Sequence, residues 1–66
     1  MQIAVNGRAT QDVAGTSLPA RVEQLGLRVG SVVVEHNGTA LLRSELAAAV
    51  LAEGDRVELV RAVAGG

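Results

Sequence analysis

The chain has no Cys, no Phe, Tyr or Trp, and no Lys, so all six of its basic residues are Arg. Each absence removes a class of chemistry. Without Cys there is no disulfide framework, no thiolate metal site and no cysteine nucleophile. Without Lys there is no Schiff base and no P-loop lysine. Without aromatics there is no stacking platform for single-stranded nucleic acid. Acidic residues outnumber basic ones and leave a formal net charge of −1, which argues against a grip on nucleic-acid phosphates. No apolar run is long enough to span a membrane. Met1–Asn6 lacks the basic region and long apolar stretch of a signal peptide, so the expected location is the cytoplasm.

What remains is 66 residues, room for one small domain. Its core has to be aliphatic, drawn from 11 Val, 8 Leu, 1 Ile and 1 Met and padded by 11 Ala. A domain this small buries only about 60% of its unfolded surface, so every element has to join one core. That leaves no room for an elaborate cleft, and an independent enzyme is not expected. No cofactor and no metal are expected either. His36 is the only histidine and has no cluster of ligand-type residues around it, so it reads as structural or solvated.

Two Asn-Gly pairs, Asn6-Gly7 and Asn37-Gly38, are strong hairpin signals, because a type I′ turn needs positive φ at both central positions. The first predicts strands over 2–5 and 8–13; the second joins 32–36 to 39–42. Between the hairpins, Thr16 or Ser17 caps a helix, Pro19 fits its first turn, and Gly26 suits the left-handed position that ends it. Leu18, Val22 and Leu25 then form one apolar stripe. Residues 45–52 read as one or two irregular turns, with Ala47-Ala48-Ala49 as packing filler. Glu53 and Asp55 around Gly54 read as turn chemistry. The segment 56–63 is a strand, apolar on both parities, and so belongs in the middle of a sheet. Four or five strands with one covering helix make an α+β domain. Pairing the last strand beside the first gives a β-grasp.

The distinctive feature is the end of the chain, Ala64-Gly65-Gly66. Two residues without Cβ can thread a narrow channel and present a carboxylate unhindered. A carboxylate is ionised at pH 7 and is a poor acyl electrophile, so it has to be activated first, most simply by adenylation. A sulfur nucleophile that displaces AMP would leave a thiocarboxylate. If a chain without Cys carries sulfur, the expected attachment point is the carboxylate of Gly66.

The segments Met1–Gly7, Val32–Gly38, Arg43-Ser44 and Glu53–Gly66, in this order and spacing, resemble ThiS, the sulfur-carrier family of thiamine thiazole biosynthesis. Ala64 stands where many relatives have a third Gly. The resemblance implies a ubiquitin-like β-grasp with a mixed four- to five-stranded sheet, one covering helix and a flexible Gly-Gly tail. It places the domain at 1–62 and the tail at 63–66. It also implies three partners: a ThiF-type adenylyltransferase that uses ATP, a persulfide donor such as a cysteine desulfurase, and a thiazole synthase that consumes the sulfur. Gly66 would carry the acyl-adenylate and then the sulfur, while Ala64 and Gly65 line the partner's channel. Val60, Arg61 and Ala62 on the last strand, with Arg43, form a candidate partner surface, although Arg43 and Arg61 read equally well as solvated. A MoaD-like molybdopterin-synthase subunit, a ubiquitin-like modifier and a plain β-grasp interaction module remain alternatives.

Overall fold

Both Asn-Gly pairs form the turns their sequence calls for. Asn6 and Gly7 have φ of 50° and 80°, and Asn37 and Gly38 have 52° and 86°. The computed structural model describes residues 1–61. The first turn joins β1 (Gln2–Val5) to β2 (Arg8–Gln11) with Val5 opposite Arg8. The second joins β3 (Val32–His36) to β4 (Thr39–Ala40) with His36 opposite Thr39. β5 (Arg56–Arg61) lies between the hairpins, parallel to β1 and antiparallel to β3. The sheet order is β2-β1-β5-β3-β4. A central last strand parallel to the first is the β-grasp arrangement.

Helix α1 (Leu18–Gln24) covers one face of this sheet. Ser17 is its N-cap, and its hydroxyl accepts a hydrogen bond from the Ala20 amide at 3.2 Å. Gly26 has φ of 77°. Its amide donates to Glu23 and that of Leu27 to Val22, the paired bonds of a Schellman ending. Leu25 departs from the expected stripe and is 43% exposed. It is the C-cap, with φ of −83° and ψ of 3°, so it lies past the last helical turn and leans off the core face. Leu18 and Val22 are fully buried.

A second helix, α2 (Arg43–Ala48), replaces the irregular turns expected over 45–52. It begins two residues early because the Glu45 carboxylate accepts the Leu42 amide at 2.7 Å, satisfying a donor at the start of the helix. Its one buried residue, Leu46, joins the core. The chain then runs extended, and the Leu51 amide bonds Thr16 while Leu18 bonds Ala49. Eight buried residues form the core: Ile3, Val5, Leu18, Val22, Val34, Leu46, Leu51 and Val57. Two observed strands are shorter than expected, β2 stopping at Gln11 and β4 at Ala40, and β5 is described as far as Arg61. Ala62 and Val63, and with them the boundary between domain and tail, lie outside the described residues. Among the described residues no helix is long and apolar enough to cross a membrane.

Candidate functional site

The last strand leads to the tail, so the site is built from what fixes β5. Both turn asparagines do so, one from each side. Asn6 donates its amide to Val57 at 2.9 Å, and its side-chain oxygen accepts the Leu59 amide at 2.8 Å. Asn37 donates its amide to Arg56 and accepts the Arg56 amide on Oδ1, both at 2.8 Å. Each Asn therefore serves as a turn residue tolerant of positive φ and as a clamp on β5. Gly would make either turn, but it has no side-chain oxygen to accept the second bond.

At the start of β5, the Asp55 carboxylate gathers three groups from the β3–β4 hairpin and the segment before β5. His36 Nε2 lies 2.7 Å from its Oδ2, the Ala52 amide donates to Oδ2 at 2.9 Å, and Asn37 Nδ2 donates to Oδ1 at 3.1 Å. Burial raises the Asp55 pKa, but these hydrogen bonds and the charge of His36 together bring it below its ordinary 3.8. Asp55 is thus a turn residue, as the Gly54 context suggested, and its carboxylate also ties the β3–β4 turn to the entry of β5. His36 has a structural role as the partner of that carboxylate. Sequence spacing alone did not pair the two, because they meet only through the antiparallel β3–β5 register that sets His36 opposite Val57.

The structure distributes the candidate partner surface over the molecule. Val60 is 54% exposed on the open face of the sheet, with Val33, 47% exposed, opposite it across the strands. Arg61 follows Val57 and Leu59 by strand alternation and points to the helix-covered face. Arg43 comes from α2, and its guanidinium lies over Gly30. Val60 and Arg61 therefore face opposite ways, and Arg43 belongs to the helix layer. Ala62, Ala64, Gly65 and Gly66 lie outside the described residues.

A cleft of about 580 Å³ opens on the helix-covered side at this end of β5. Arg8, Arg21 and Arg61 line it, together with Leu25, Leu27 and Leu59. The sequence reading missed it, because its arginines come from β2, α1 and β5. The one available signal was Arg8, which falls on the inward parity of its strand opposite Val5.

With this geometry in hand, the likenesses to known proteins become specific. The model of the ThiS family matches residues 1–66. The chain belongs to the ThiS family. A crystal structure of a thiamine biosynthesis protein (ThiS) from Geobacter metallireducens superposes with a TM-score of 0.84 at 28% identity, covering all of both chains. The ubiquitin-like β-grasp expected from the sequence is therefore the fold. A protein named thiazole synthase from Magnetococcus marinus is 36% identical over 66 residues, all of this chain. The match takes in 20% of that relative, so the chain spans about one fifth of its length.

Proposed function

We propose that this ThiS-family chain is a sulfur carrier for thiazole formation in thiamine biosynthesis, with the Gly66 carboxylate as its working group. Residues 1–62 are the handle and 63–66 the working tail. The carboxylate oxygen attacks the α-phosphorus of ATP on a ThiF-type enzyme, giving the acyl-adenylate and pyrophosphate. A persulfide sulfur then attacks the acyl carbon and AMP leaves. A thiol reduces the resulting S–S bond and frees the thiocarboxylate. Thiazole synthase is the consumer this reading favours, since a protein of that name contains a stretch 36% identical to the whole chain. The chain itself catalyses none of these steps.

The observation that carries the reading is the family match, which runs from residue 1 through Gly65-Gly66. It also favours the thiamine pathway over a molybdopterin-synthase role, a modifier or a plain interaction module. Incubation with a ThiF-type enzyme, ATP and a persulfide donor, followed by intact mass measurement, tests it. The mass should rise by the difference between sulfur and oxygen. An unchanged mass, with an enzyme that charges its own carrier in parallel, would refute it.

A further inference from the structure

The cleft at the end of β5 is lined by three of the six arginines of the chain and by none of its seven acidic residues. On a chain of net charge −1, this is a local concentration of positive charge against the overall sign. Its floor is apolar, formed by Val5, Leu27 and Leu59 with the exposed Leu25 at its lip. Arg21 is held in place: its Nε lies 3.5 Å from the Asp12 carboxylate and its Nη1 donates to Gln24 at 3.1 Å. Arg8 and Arg61 are exposed and have no acidic partner among the described residues.

We infer that this cleft docks an extended segment of a partner protein in which acidic and apolar side chains alternate. Charge complementarity selects the acidic groups: Arg21 is already paired with Asp12, but Arg8 and Arg61 offer guanidinium donors with no acidic partner among the described residues, and no acidic residue lines the cleft. The apolar floor selects the rest, because it gives an inorganic anion nothing to bind. The backbone favours an extended conformation. β1 ends at Val5, and the Asn6 side chain substitutes for the next β1 residue by accepting the Leu59 amide. Among the described residues, the β1 side of β5 is thus bonded only as far as Leu59, and a strand laid into the cleft would continue the ladder. The inference does not depend on what Gly66 carries.

The test is a titration of the isotope-labelled chain, followed by amide NMR shifts, with three probes. These are a blocked Glu-Leu-Glu-Leu-Glu peptide, its Gln-for-Glu counterpart, and inorganic phosphate. The acidic peptide should shift the amides of Thr10, Leu27 and Leu59 saturably, and the Gln peptide should leave them unmoved. The double variant Arg8→Ala, Arg61→Ala should weaken binding about tenfold, roughly the sum expected for two rim charges. Arg56→Ala, on the other face of β5, should not weaken it. Two outcomes overturn the inference on the unmodified chain: shifts confined to the open face around Val33 and Val60, or none at all. Equal shifts from phosphate that displace the peptide at matching concentration would overturn it too, reducing the cleft to a simple anion site.

Discussion

Asp55 shows how one carboxylate joins separate segments of a chain that has little polar chemistry inside. It accepts from His36, Ala52 and Asn37, and no charged residue among those described is fully buried. Hydrogen bonds to a charged acceptor contribute about 1.5–3 kcal/mol where burial keeps water away, and here the site is partly solvated. Replacement by Ala should therefore cost about 2 kcal/mol near pH 7. The pH dependence follows from its direction of shift. The folded pKa lies below the ordinary 3.8, so in the window between the two values the unfolded chain binds the proton more tightly. The contribution is complete above 3.8 and is lost as pH falls through the folded value. Urea unfolding of wild type and Asp55→Ala should show a narrower stability gap at pH 3 than at pH 5. A gap unchanged at pH 3 would mean that the ionised carboxylate is not what stabilises the site.

At the level of elements, α1 offers a direct comparison between two leucines that sequence periodicity treats alike. Leu18 is fully buried and Leu25 is 43% exposed. Leu18→Ala should destabilise by about 2–5 kcal/mol, whereas Leu25→Ala should stay within about 0.5 kcal/mol. Urea midpoints of the two variants check this, and equal losses would put Leu25 in the core. The comparison also marks how far the sequence was legible. Hairpins at Asn6-Gly7 and Asn37-Gly38, the helix stop at Gly26 and the central β5 could be read because each rests on local backbone chemistry or on strand parity. The Schellman ending tilts Leu25 away from the core, and that displacement is invisible to a count of i, i+4, i+7. α2 was hidden for a similar reason. Its start depends on Glu45 reaching back to the Leu42 amide, with no Ser, Thr, Asp or Asn at the cap position to announce it. The arginine cleft was the least legible feature, because it exists only once β2, α1 and β5 have come together.

Across the whole molecule, the core and the proposed working group occupy separate parts of the chain. The eight buried residues among those described lie between Ile3 and Val57, and both turn asparagines grip β5 no later than Leu59. The carrier reading expects that framework to stand without the final two glycines. This separation suits a carrier, whose fold has to stay unchanged while its end passes between enzymes. Deleting Gly65 and Gly66 should accordingly leave stability almost untouched. In a domain of this size 1 kcal/mol corresponds to a Tm shift of about 4–8 °C, so a change below about 2 °C is expected. The same deletion should abolish the gain of sulfur mass in the presence of adenylating enzyme, ATP and persulfide donor. Adding residues after Gly66 should do the same, since the carboxylate is then an amide, which is a poor nucleophile towards ATP. A large drop in Tm on deletion would tie the tail to the fold and remove the separation on which the carrier reading depends. Retained sulfur loading without Gly66 would locate the working group elsewhere.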